Sequence, residues 1–239
     1  LYQYFLIYFE TFSVPTADTL FLLILSILTL ESAHSIRFLY QHFLSGITEK
    51  SLNVFYYACS YAKVDYSRFM NTTVRITLKL IPDSLQTQPV FLCVDDTMVS
   101  KFGTKFENVS KLFDHAAHNG SNYLNGHCFV SVMLCVPVWN GDKVSYLSVP
   151  LGYRMWQKKE SKLELAASMI RQVMPEFHSK DHVIIPCDSW DTKHNLLSIV
   201  DEYPNPDLIG NARSASVMYD LAYVHLFVCK ISENILVKW

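Results

Sequence analysis

A pair of carboxylates, Asp95 and Asp96, closes the apolar run Val90-Phe91-Leu92-Cys93-Val94, and a third, Asp188, closes Ile184-Ile185-Pro186-Cys187. An acid placed where an apolar run stops is badly sited for a core, because a buried carboxylate needs a partner. It is well sited for a hard divalent cation, which takes oxygen ligands. Two-metal phosphoryl transfer asks for carboxylates that bridge cations about 3.5–4 Å apart, so that one cation activates the attacking oxygen and the other steadies the leaving oxygen. Asp188 follows Asp95 by 188 − 95 = 93 residues, so only a shared sheet brings the two together. If Asp95 faces such a site, Asp96 faces the opposite side, since successive strand residues alternate. An Asp at a strand end also serves as a turn former or a helix cap. Two of them in a suitable strand order is what favours metal chemistry.

The elements that would position these acids follow from the pattern of apolar residues. Residues 1 to about 85 read as helical, with Asp18 a candidate cap for the run Leu20 to Leu30 and Ile36, Leu39, Tyr40 and Phe43 at helical spacing. Pro82 and Pro89 bracket a polar stretch that marks a boundary. Beyond it the period changes to that of strands: Val90 to Val94, His127 to Val138, and Val144 to Val149. Ser161-Lys162-Leu163-Glu164 is a capping box, and Leu163, Ala166, Ala167, Ile170 and Met174 line one helical face until Pro175. A strand over Val183 to Ile185, a helix over Thr192 to Val200 and a short strand over Leu208 to Gly210 complete the order β-β-β-α-β-α-β. That is the order of an RNase H-like domain, with its first two acids on the first and fourth strands. The expected class is α/β (α+β), a mixed sheet flanked by helices. A helical module over 1–88, a core over 89–222 and a divergent tail over 223–239 make up the expected organisation.

Composition bounds the alternatives. Of 239 residues, 50% are hydrophobic and 18% charged, which suits a globular chain rather than a disordered one. A net charge of −2 provides no global electrostatic attraction for nucleic acid, so any such binding must be local. The six cysteines show no C-x-x-C spacing, and four lie in apolar runs; this fits a reducing, cytosolic compartment without disulfides or zinc. The Leu20–Leu30 run is about 11 residues, well short of the roughly 20 that span a bilayer. No signal peptide is evident, and a chain that opens at Leu1 reads as a fragment.

Four segments in combination carry a family resemblance: Val94-Asp95-Asp96-Thr97, Tyr123-Leu124-Asn125-Gly126-His127, Val149-Pro150-Leu151-Gly152-Tyr153-Arg154-Met155-Trp156 and Cys187-Asp188-Ser189-Trp190. Together they resemble the DDE-superfamily transposases of bacterial insertion sequences, in the IS-four-like branch, over roughly residues 15 to 222. The resemblance implies that Asp95 and Asp188 are the first two catalytic acids and ligands of Mg²⁺ or Mn²⁺. It implies metal-dependent cleavage at transposon ends, strand transfer into target DNA, and a cytoplasmic, nucleoid-associated bacterial protein. DNA is the implied partner, with no membrane role and with a homodimer left open.

The family's third acid, a Glu within a Tyr/Arg/Glu/Lys signature, has no counterpart here. Glu233 is the only late Glu and lacks those flanks, so the chain reads as truncated or frameshifted, and an inert remnant that at most binds DNA is the alternative. Asp191 adds negative charge beside Asp188. A haloacid-dehalogenase phosphatase would need an acid two residues beyond Asp95, where Thr97 stands. Basic residues in two groups are candidates for phosphate contact: Lys101, Lys105 and Lys111, then Arg154, Lys158, Lys159 and Lys162. His115, His118 and His127 fit no zinc spacing and are expected in polar loop and strand-edge roles.

Overall fold

In the computed structural model the described residues are 2–32, 34–103, 105–113, 122–187, 194–212, 227–231 and 234–238, with backbone alone for 194, 211–212, 227–231 and 234–238. The chain divides into two compact units, Leu1–Thr72 and Thr73–Trp239.

The first unit is helical. It holds α1 (Tyr2–Phe9), α2 (Val14–Thr29), α3 (Ile36–His42), α4 (Leu52–Ser60) and the start of α5 (Tyr66–Leu78). Pro15 in the first turn of α2 suits a position whose N–H has no helical acceptor. Asp18, expected as a cap, instead lies inside α2 and pairs with Lys50 at 2.9 Å. Ser35 caps α3 by accepting the N–H of Phe38 at 3.1 Å. Leu23, Leu39, Leu44 and Phe55 form the buried centre of this unit. Among the described residues no helix is long and apolar enough to cross a membrane.

Among the described residues the second unit is built on an eight-stranded sheet of mixed polarity, in the order β2-β3-β1-β5-β6-β8-β7, with β4 also on β3. The strands are β1 (Val90–Ser100), β2 (Ser110–Phe113), β3 (Tyr123–Asn140), β4 (Lys143–Met155), β5 (Val183–Cys187), β6 (Pro206–Ala212), β7 (Phe227–Ile231) and β8 (Asn234–Lys238). Two helices, α6 (Lys162–Val173) and α7 (His194–Glu202), connect β4 to β5 and β5 to β6. The expected strands one to five are therefore β1, β3, β4, β5 and β6. Strand β2 and the hairpin β7–β8 are additions the pattern did not predict.

Alternation in β3 is regular: Cys128, Val130, Val132, Leu134 and Val136 are buried, whereas the residues between them are half-exposed. The buried row continues on β1 through Leu92 and Val90. Helix α6 packs on β3 and β1 on one side and on α7 on the other, which is why Leu163, Leu165, Ala166, Ala167, Met169, Ile170 and Val173 are all buried. Each fully buried Leu or Ile of this kind stabilises the fold by roughly 1.5–3 kcal/mol. The capping box forms as expected: Glu164 N–H donates to Ser161 Oγ at 3.1 Å and Ser161 N–H donates to Glu164 Oε2 at 2.6 Å. At Gly126 the chains of β3 and β1 come so close that a Cβ would stand 2.3 Å from the carbonyl oxygen of Val99.

Candidate active site

Strand β1 does not stop at the acids. It continues to Ser100, so Asp95 and Asp96 sit in mid-strand, opposite Ser131 and Val130 of β3. The expectation that they close the strand is corrected, for a physical reason: β3 is 18 residues long and supplies backbone partners well past the end of the apolar run. On the other side β1 runs parallel to β5, and there the paired residues are Val90–Val183 and Phe91–Ile184. The acids thus lie beyond the parallel ladder but within the antiparallel one.

The two aspartates face opposite ways. Asp96 falls on the α6 side with Leu92, where it forms an ion pair with Lys162 from the first turn of α6. The Cys128 thiol donates to Asp96 Oδ2 at 3.5 Å, and Lys162 Nζ also lies 5.7 Å from the centre of the Trp156 ring. Burial works against the charged form of Lys162, but the hydrogen bond to Asp96 and the charge of Asp96 outweigh it, and its pKa is raised. Burial likewise raises the Cys128 thiol. This cluster is a structural tie between strand and helix.

Asp95 is exposed on the opposite face. Its Oδ1 accepts the N–H of Asp96 at 2.8 Å, and its carbonyl accepts the Ser131 hydroxyl at 3.2 Å. The same face carries Cys93 and Cys135, with Sγ atoms 3.8 Å apart. Burial, followed by the neighbouring Cys135, pushes the Cys93 thiol up to about 12. Asp95 is thus an exposed hard oxygen donor, of the kind Mg²⁺ takes. One carboxylate is fewer than such a site needs. Among the described residues no three His, Cys, Asp or Glu side chains are grouped to hold a metal ion. Asp188, Asp191, Glu233, His115 and His118 lie outside the described residues.

The basic candidates separate into kinds. Arg154 is engaged inside the fold, donating to Ser168 Oγ at 2.9 Å and to Gln172 Oε1 at 2.8 Å, which ties β4 to α6. Lys162 is engaged by Asp96. Lys105, Lys158 and Lys159 are exposed, and Lys101 Nζ lies 5.7 Å from the Phe106 ring centre. His127 lies on β3, and its Nε2 is 2.8 Å from the carbonyl oxygen of Glu107. Trp156 donates its indole N–H to the Glu160 carbonyl at 2.7 Å. The Asp96–Lys162 tie went unread in the sequence, although strand alternation and the capping box together pointed to it: one puts Asp96 on the helix side and the other puts Lys162 in the first helical turn.

No family model matches this chain, and no curated protein matches it.

Proposed function

We propose that this chain is a DNA transposase of the insertion-sequence class, built on an RNase H-like core, in which Asp95 and Asp188 hold Mg²⁺ or Mn²⁺. The observation that carries the reading is the register of two strands. Val90 and Phe91 pair with Val183 and Ile184, an offset of 93 residues, and Asp188 follows Asp95 by the same 93. The order of β1, β3, β4, α6, β5, α7 and β6 along the chain further supports it. So does the exposure of Asp95 on the face that α6 leaves open.

In this reading the chain's residues position rather than react. The Asp96 N–H and the Ser131 hydroxyl fix the Asp95 backbone and one carboxylate oxygen, and the Lys162 tie holds β1 against α6. The bound cations would supply the charge that activates water or a 3′ hydroxyl and steadies the leaving oxygen. The purified chain, incubated with supercoiled plasmid and Mn²⁺, is expected to nick it, and Asp95→Ala is expected to abolish nicking while leaving the thermal melt unchanged. Nicking that survives Asp95→Ala sinks the assignment. The second reading is an inert remnant that at most binds DNA; no nicking at any metal concentration would leave it alone standing.

A further inference from the structure

We infer that the rim formed by the 101–109 loop, β2 and the start of β3 is a stacking platform for unpaired nucleotides of a DNA strand. Four aromatic side chains are presented to solvent here: Phe102, which is 93% exposed, and Phe106, Phe113 and Tyr123. Phe102 and Phe106 in particular, large apolar rings exposed on one loop, call for a covering ligand. Gly103 (φ 94°) and Asn108 (φ 59°) take left-handed conformations on either side of Phe106, so the loop bends where its two exposed rings stand.

Each exposed cluster also carries a cation. Lys111 Nζ lies 4.5 Å from the centre of the Tyr123 ring, and Tyr123 meets Phe113 edge to face at 5.4 Å. Lys101 stands over Phe106 in the same way. From Val99 to Phe113 the chain carries Lys101, Lys105 and Lys111 against one acid, Glu107, so the rim is locally positive on a protein whose net charge is −2. Rings for the bases and ammonium groups for the phosphates are the two elements that single-strand recognition combines. A duplex hides its base faces, so ring stacking selects the unpaired state. An anionic bilayer fits less well, because surface-lying elements are amphipathic helices with a continuous apolar face, and these rings are interleaved with lysines on a loop and strands.

This extends the proposed reading by naming the state of the DNA that is held, and it is tested apart from cleavage. With the full chain in EDTA, fluorescence polarisation of a labelled oligothymidylate and of a matched duplex gives both affinities. Phe102→Ala with Phe106→Ala is expected to weaken single-strand binding by about five- to a hundred-fold, since stacking is lost at one base or more. Duplex affinity is expected to hold within about two-fold, because no base face is available there. Lys101→Ala is expected to weaken both and to flatten the single-strand salt slope by about 0.7. Both aromatic positions are exposed, and an unchanged melt confirms that the variant folds. Absence of single-strand binding, equal losses on single strand and duplex, or preferential binding to phosphatidylserine vesicles overturns the inference. If the wild type nicks plasmid but the aromatic variant binds oligonucleotide normally, the platform fails and the transposase reading survives. Binding through the rim without nicking gives the converse.

Discussion

The two faces of the β1–β3 ladder are made from the same strands and do opposite work. Toward α6, Leu92, Val132 and Leu134 are wholly buried, and the one acid on that side, Asp96, is matched by a lysine and a thiol. Away from α6, Asp95, Ser131, Met133 and Cys135 lie half-covered or exposed, and the carboxylate there accepts the Asp96 N–H. The carboxylate on the covered face, about one-third exposed, is matched locally, because even partial loss of water makes an unpaired charge costly. A carboxylate on the open face stays hydrated and remains able to take a ligand. Adjacent residues of one type therefore acquire different roles from strand alternation alone.

The largest expected effect separates the faces by packing. Leu134→Ala should destabilise the chain by about 2–5 kcal/mol, because it removes buried methyl groups and leaves a cavity. Met133→Ala, one residue away on the open side, should cost less than about 1 kcal/mol. Equal urea-denaturation midpoints for the two variants would erase the distinction.

Next comes the helix that creates the covered face. Ser161→Ala is expected to cost about 1 kcal/mol by removing the N-cap acceptor. The Ser161 N–H and hydroxyl hold the Glu164 carboxyl below the usual carboxylate range. A depressed carboxylate contributes stability above its unfolded pKa and loses it as pH falls through the folded value. Acid melts of the Ser161→Ala variant should therefore fall less steeply than those of the wild type.

The smallest effect compares the two acids directly. Asp96→Asn is expected to lower stability by less than about 1 kcal/mol, since both members of its pair with Lys162 are about one-third exposed. Asp95→Asn should leave stability unchanged. The raised Lys162 pKa adds a pH signature. A raised lysine stabilises below its unfolded pKa and loses that contribution as pH climbs through the folded value, so the difference between Asp96→Asn and wild type should vanish in strongly alkaline solution. A difference that persists there would show that the tie is not ionic.

Much of this architecture was legible in the residues. The strands at 90, 127, 144, 183 and 208, the capping box, and the helices after 162 and 192 are set by periodicity and by local chemistry that acts over a few residues. What escaped was set at longer range. The extension of β1 from Val94 to Ser100 runs through polar residues and depends on the length of β3. Strand β2 is four residues long, too short for a pattern, and it exists as a partner for Tyr123–Gly126. The same holds for the basic residues: Arg154 and Lys162 resemble their exposed neighbours in sequence, and only the docking of α6 turns them inward. Of the candidate site, the opposite facing of Asp95 and Asp96 was readable from alternation, whereas the proposed partnership of Asp95 with Asp188 concerns a residue outside the described ones.

The tight crossing at Gly126 limits which residue can stand there. Any side chain there would collide with the backbone of Val99 and prise the first and third strands apart, just where the aromatic rim begins. The glycine inside Asn125-Gly126-His127 is therefore dictated by the gap between two main chains.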